Sequence, residues 1–428
     1  MIQLRKLALD VLYALKTAGA DGGECTVTTE STDETNSLGK AEYLLREFSN
    51  TEIELRAVKG GKVADMRINQ TDIQNIVTAA VHCVAMAECG RPIEKAALGY
   101  KGRIEPDRLL PMQRDPEKLY RRFEELMNTL RDEYPMIASD AMAWYIDRKM
   151  LYLNTNGQEV SQHTQSCGCG WQGGATDGAT TTDCEFFHVD CENLDTPFID
   201  QGMVRAKLEN VQRMLNPRRI EGGKFVGTVI VNPDQAAYYA YQIMERVRNM
   251  AEDDGLPTPA CSPCVSIFQA NSDEPYVPGM LPQNSPAAEV EYIIRNGEVV
   301  PDPTKGMSAA EKADYDAARQ RRLKWLNHQA FGIEAGETPY AELIRSVKRG
   351  LLLGHVQGTM PSPDGEFSGA AKNSFYIENG EIKYPVIETM LSGNVFDMFK
   401  HVEGISKETV RERSNLTPWI AFGGVTIL

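Results

Sequence analysis

Hydrophobic positions near the N-terminus fall into two helical stripes separated by a hairpin. Leu4, Leu7, Ala8, Val11, Leu12 and Leu15 recur at helical spacing, and Gly19 stands where a left-handed cap ends such a helix. Asp21-Gly22-Gly23 turns the chain into a short strand at residues 24–28, and a polar segment follows. Residues 52–57 and 63–68 flank Gly60-Gly61, which suits a primed turn, and predict a β-hairpin. Thr71 or Asp72 then caps a second helix. Its buried stripe is expected to be Ile73, Ile76, Val77, Ala80, Val81 and Val84, with Gly90 and Pro92 as the stop.

A connector at residues 93–114 leads to Asp115-Pro116, which opens a third helix carrying Leu119, Phe123, Leu126, Met127 and Leu130; Pro135 ends it. From 136 to 190 β-formers dominate, with a turn at Asn156-Gly157, and a fourth helix is expected across 198–215. Glu221-Gly222-Gly223 reads as a boundary. Beyond it lie a compact apolar strand, Gly227-Thr228-Val229-Ile230-Val231, and a helix opened by Asn232-Pro233-Asp234 that carries Ala236, Ala237, Ala240, Ile243, Met244 and Val247. Residues 253–304 turn to Pro, Ser, Asn and Gly with little periodicity, too long a stretch for an ordinary connection. Ser308-Ala309-Ala310-Glu311 is a capping box opening a charged helix to about Asn327. These elements give an α+β protein of two domains. Residues 1–221 form a helix and antiparallel-sheet domain, and residues 222–428 a β-rich one with an insertion at about 253–336.

Charge narrows the partners. The 428 residues carry 45 Lys and Arg against 60 Asp and Glu, a net charge of −15, and the densest basic runs, Arg218-Arg219 and residues 319–324, have acidic neighbours. A protein that tracks nucleic-acid phosphates needs a basic stripe, so direct nucleic-acid binding is not expected. No stretch reaches the roughly 18 apolar residues of a membrane span, and the N-terminus mixes charge into its apolar positions. The expected location is the cytoplasm, away from membranes, with the nine cysteines as thiols.

Candidate chemistry is sparse. Cys167, Cys169, Cys184, His188 and Cys191 could ligate zinc, but their spacing matches no standard finger or ribbon, and buried thiols are the simpler reading. Cys261-Ser262-Pro263-Cys264 lacks a second pair nearby. His82 sits among apolar residues of a helix and suits a core or an interface. His355, between glycines at 354 and 358, is the most site-like histidine. No nucleophile elbow, phosphate loop, dinucleotide fingerprint or helical zinc-protease motif is present.

The C-terminal third carries several spaced motifs: residues 340–352; Asp364-Gly365-Glu366-Phe367-Ser368-Gly369-Ala370; Tyr376-Ile377-Glu378-Asn379-Gly380-Glu381; residues 392–398; and residues 417–425. Together they resemble the TldD/PmbA family, called modulators of DNA gyrase and classed with metallopeptidases. Leu153-Asn154-Thr155-Asn156-Gly157 and the N-terminal helix, hairpin and helix also fit. In the family's catalytic branch a helix carries H-E-x-x-x-H and a late cysteine completes a zinc site. Counting on from the strand and proline at 229–233, the comparable positions here are Tyr241, Gln242 and Arg246, and no cysteine follows Glu388. The resemblance is therefore to the PmbA or TldE branch, without a metal cofactor. It implies a non-catalytic subunit that closes a peptide cleft with a TldD-like metal-bearing partner; a self-paired, metal-free peptide-binding module is the alternative. His355, Asp364, Phe367, Ser368, Gly369, Glu378, Asn379 and Gly380 become the cleft candidates. The small residues among them equally suit tight β-packing, and Asn379-Gly380 suits a hairpin turn.

Overall fold

The computed structural model describes residues 1–38, 42–92, 102–104, 114–135, 137–191, 193–249, 260–271, 289–301, 308, 311, 330–358, 361–412 and 415–428. The first half comprises α1 (Ile2–Thr17), β1 (Gly22–Leu38), β2 (Glu42–Lys59), β3 (Lys62–Ile68), α2 (Ile73–Glu88), β4 (Arg91–Pro92), β5 (Gly102–Ile104), α3 (Pro116–Asp132), β6 (Ile137–Asn154), β7 (Gln158–Ala175), β8 (Glu185–Cys191) and α4 (Val204–Arg213). Among the described residues its strands form one sheet in the order β4-β3-β2-β1-β6-β7-β5, with β8 beside β7.

The polar segment expected at 29–51 is instead the distal arm of β1 and β2, paired from Gly22 with Val58 out to Leu38 with Glu42. Alternation fails to mark it because Thr, Ser, Glu and Asp occupy both faces of distal β1. Backbone pairing to β2 and β6 holds the arm. The fourth helix also shortens. A 3₁₀ turn at Phe198–Asp200 precedes α4, which spans only Val204–Arg213.

Side-chain alternation along β6 decides where the helices go. Ala141, Ala143 and Tyr145 pack under α3 and α4, while Leu151 and Leu153 pack under α1 and α2. All five are odd-numbered and share one sheet face, so the four helices lie on the same side. Asp147 and Lys149, between the two clusters on that face, are polar, and Asp147 accepts a hydrogen bond from Gln165 Nε2 at 2.7 Å and pairs with His163 Nε2 at 2.8 Å.

Asp72 caps α2 by accepting from the Asn75 amide at 3.0 Å, and Asp115 caps α3 through the Lys118 amide at 2.9 Å. The inner face of α2 is Ile76, Ala79, Ala80, Cys83, Val84 and Ala87; Ile73, Val77 and Val81, expected inside, are exposed. Two adjacent apolar stripes read as one wide buried face in the sequence, but the sheet covers only one.

The second half comprises β9 (Phe225–Val231), α5 (Pro233–Asn249), β10 (Ile267–Asn271), β11 (Glu289–Arg295), β12 (Glu298–Val299), β13 (Ala330–Ile333), α6 (Tyr340–Ser346), β14 (Arg349–Leu353), β15 (His355–Gly358), β16 (Glu366–Lys372), β17 (Phe375–Glu378), β18 (Glu381–Pro385), β19 (Met390–Asn394), α7 (Val395–Lys400), β20 (Val402–Glu412) and β21 (Asn415–Ile427). Three of these strands, β10 to β12, fall in the stretch read as aperiodic, where β10 and β11 pair in register from Phe268–Tyr292 to Asn271–Glu289. Ser308 and Glu311 make the reciprocal bonds of the capping box at 2.9 and 3.3 Å. The rest of the helix expected there, and most of the 93–114 connector, lie outside the described residues.

The central strand β9 runs parallel to β14 and antiparallel to β21. Val229 and Val231 meet α5 on one face, and Ile230 meets Leu343 and Val347 at α6 on the other. Burial on both sides explains the unbroken apolar run at Val229-Ile230-Val231.

The halves meet through polar contacts. Lys372 Nζ donates to Asp183 Oδ2 at 2.7 Å, Lys207 lies 3.3 Å from Asp234, and Arg213 stacks over Phe375 at 5.0 Å. Glu185 lies here too. Its Oε2 is buried with no hydrogen-bond partner among the described residues. Burial, reinforced by Asp234 and Asp183 against the pull of Lys207, raises its carboxyl from the ordinary 4.5 to about 7. The folded chain thus keeps a proton that the unfolded chain releases. Glu185 therefore costs nothing below the unfolded value of 4.5, and stability declines as pH rises from there through about 7. Glu185→Gln should stabilise the protein by about 2 kcal/mol near pH 8, with no difference near pH 4, in denaturant titrations at both pH values; an equal effect at both would refute the assignment.

Candidate functional site

Helix α5 starts where Asn232 Oδ1 accepts from the Gln235 amide at 2.8 Å while Asn232 Nδ2 donates to the Gly354 carbonyl at 2.7 Å, tying the helix to the end of β14. Ala236, Ala240, Ile243 and Met244 seat the helix on the sheet, and that seating carries Ile243 and Arg246 to a cavity of about 200 Å³. Ala260, Asp364, Asn394, Phe396, Asp397 and Lys400 complete its lining.

Two sequence motifs converge there. β16 and β19 pair Glu366 with Asn394 and Phe367 with Gly393, so the turn at Asp364 meets the start of α7. Asn394 holds the corner: its Oδ1 accepts from the Phe396 and Asp397 amides at 2.9 and 3.3 Å, and its Nδ2 donates to the Asp364 carbonyl at 2.8 Å and Glu366 Oε1 at 3.0 Å. The Arg246 guanidinium lies over the Phe396 ring, 4.3 Å from its centroid, and Lys400 lies 3.4 Å from Asp397. The walls thus carry two cations and two carboxylates around one aromatic face. Such a site suits a small polar or zwitterionic group.

Of the residues singled out in the sequence, Arg246 and Asp364 line this cavity; Tyr241 and Gln242 do not, and Tyr241 is exposed. Phe367 is core, 5.6 Å from the buried ring of Tyr239. Gly369 lies opposite Gly358, and a Cβ there would fall 2.5 Å from Val356 Cγ1; Ser368 pairs with Ser392 across the sheet. Glu378 accepts from the Tyr376 hydroxyl at 3.1 Å, and Asn379 and Gly380 form the β17–β18 turn with φ of 52° and 77°. His355 is near the other end of α5, where Gln235 Oε1 accepts from the Val356 amide at 3.4 Å. The eleven residue steps from Gln235 to Arg246 span roughly 16 Å of helix, so His355 and the cavity are separate. Burial, and then the Lys372 charge, lower the His355 pKa. Lys400 went unnoticed in the sequence; its spacing of three from Asp397 is an ordinary helical ion pair.

The cysteine cluster is core. Cys167, Cys169 and Cys191 are buried under α3 and α4, while Cys184 is exposed. Gly168 between the first two makes room for Trp144: a Cβ would fall 2.5 Å from the indole. Burial raises the Cys167 thiol, and the hydrogen bond between Cys191 and Cys169, together with burial, raises the Cys191 thiol.

Residues 319–428 match the model of the PmbA/TldA metallopeptidase C-terminal domain. Metalloprotease PmbA of Escherichia coli O157:H7 is 32% identical over 106 residues, 23% of this chain and 23% of that relative's length. The C-terminal quarter of the chain is thus similar to the C-terminal domain of the TldD/PmbA family. The fold of the chain agrees with two solved structures across nearly the whole length. A Bacteroides thetaiotaomicron protein named for modulation of DNA gyrase superposes with a TM-score of 0.78 at 16% identity, covering 99% of this chain and 98% of its own. TldE from Thermococcus kodakarensis does so with 0.70 at 17%, covering 98% and 99%.

The family's metallopeptidase description poses the question of a metal. The cavity offers only two carboxylates, with a guanidinium stacked beside them, and among the described residues no group of three or more His, Cys, Asp or Glu is placed to hold an ion. A catalytic zinc needs three such ligands and an open position, so this donor set does not fit it.

The turn reading of Gly380 is testable. With φ at 77° and a Cβ that would fall 2.6 Å from the Arg345 carbonyl oxygen, Gly380→Ala should cost about 2 kcal/mol in chemical denaturation. An unchanged midpoint would contradict it.

Proposed function

We propose that this chain is the non-catalytic, cleft-forming subunit of a TldD/TldE-type metallopeptidase complex that processes peptides and small unfolded proteins. The observation that carries the reading is Arg246 on α5, stacked on Phe396 inside the cavity. A guanidinium cannot ligate a metal and repels one, but it does orient a carboxylate or a peptide carbonyl. In this reading the chain binds and positions while a metal-bearing partner cuts. β15 supports the binding role, since among the described residues it pairs only with β16 and leaves a sheet edge to which an extended peptide can add. The partners are then proteins and peptides, in keeping with the net charge of −15.

Two measurements test this. The chain purified alone with added zinc should show no chelator-sensitive peptide hydrolysis, whereas turnover abolished by a chelator would overturn the non-catalytic role. Affinity capture from the native cell should bring down a second chain carrying H-E-x-x-x-H, and activity should appear when the two are mixed. Peptide binding by this chain with no such partner would favour a stand-alone module instead.

A further inference from the structure

The charges lining the cavity at the far end of α5 are not evenly matched. Arg246 is half-buried, its guanidinium lies over the Phe396 ring, and among the described residues no carboxylate pairs with it. Stacking occupies the flat face of the guanidinium and leaves the N–H fork along its edge able to donate. Lys400, the second cation of the lining, is answered by Asp397 at 3.4 Å. Asp364 is exposed at the turn before β16, and it is its backbone carbonyl that accepts from Asn394 Nδ2. Buried Ile243 and neighbouring Ala260 supply apolar wall. One positive charge with unengaged donors therefore borders a volume of about 200 Å³.

We infer that this cavity binds a free α-carboxylate on the edge of Arg246, with the apolar side chain of the residue that bears it against Ile243, Ala260 and Phe396. The inference rests on the peptide-binding role proposed above and names the part of the ligand that is held. Charge selects a monoanion. With Lys400 committed to Asp397, Arg246 offers one unit of charge, and its planar fork matches a carboxylate with two parallel hydrogen bonds. A phosphate dianion would meet one open cation and the repulsion of Asp364 and Asp397. A carbonyl in the middle of a peptide would bring no charge and leave a half-buried cation unpaired. Size selects a chain end. Sites that enclose drug-sized ligands run to roughly 300–1,000 Å³, and the smaller volume here suits a single residue rather than a stretch of chain. Such a carboxylate comes from the C-terminus of a peptide or from a free amino acid, whose ammonium group exposed Asp364 would meet.

Isothermal titration calorimetry of the full chain tests this with an N-acetylated tetrapeptide ending in leucine, the same peptide as its C-terminal amide, and free leucine. The acid should bind at least about tenfold tighter than the amide, the scale of one charge-assisted contact. Arg246→Gln should remove that preference, and Arg246→Lys, which keeps the charge but loses the fork, should retain part of it. Asp397→Asn, which frees Lys400, should tighten the acid severalfold and leave the amide unchanged, a readout that does not depend on the fold tolerating a change at 246. A peptide acid that outbinds leucine assigns the site to chain ends, and leucine binding as well or better assigns it to a free amino acid; either supports carboxylate recognition. Acid and amide binding alike, an acid preference that survives Arg246→Gln, or no binding of any probe would overturn the inference. Peptide binding that ignores the terminus would leave the cleft-forming role standing, whereas chelator-sensitive hydrolysis by the chain alone would remove that role without touching the carboxylate preference.

Discussion

The seating of α5 is the constraint on which the candidate site depends. β9 is buried on both faces, pinned between β14 and β21, and Asn232 ties the first turn of α5 to the end of β14. With the start fixed and Ala236, Ala240, Ile243 and Met244 committed to the core, the rotation of the helix is set, and Arg246 has one place to go. Each large apolar side chain in that face contributes about 1.5 to 3 kcal/mol through burial, far more than an exposed ion pair could offset. The chemistry at the cavity is therefore dictated by residue identity at 246, with little freedom for the backbone to compensate.

The junction between the halves rests on different physics. Ion pairs and a cation–aromatic stack join them, and Glu185 is the member whose charged form the fold disfavours. Such a contact is weaker and more sensitive to pH than the cores on either side of it. It also places His355, Asp183 and Lys372 close enough to influence one another electrostatically, across a boundary the cavity does not touch.

What could be read from the sequence follows what alternation and capping can encode. The helices at Asp72, Asp115 and Asn232 were marked by their caps, and the Asn379-Gly380 turn by the positive φ it needs. The distal arms of β1 and β2 were hidden because polar residues on both faces leave no period, and β10 to β12 because glycine and proline around them resemble a loop. For α2 the apolar pattern put Ile73, Val77 and Val81 in the buried stripe, but the sheet covers only the neighbouring stripe and leaves these three exposed. At the site, Asp364 and Asn394 lay in family motifs and Arg246 at a position where the family's metal motif is missing, whereas their convergence with Lys400 appears only when β16 pairs with β19. The glycine-rich and cysteine-rich motifs that looked chemical serve packing: Gly168 accommodates an indole, and burial raises the pKa of the Cys167 thiol beside it.

The central claim is that an arginine occupies the cavity and that its walls do not form a metal site. Elemental analysis of the chain alone, purified without chelators after growth in zinc-rich medium and dialysed, tests it most directly. The account predicts well below about 0.1 zinc per chain for the parent. A tightly held stoichiometry of about one ion per chain that is lost when Asp364 and Asp397 are both changed to Asn would contradict it.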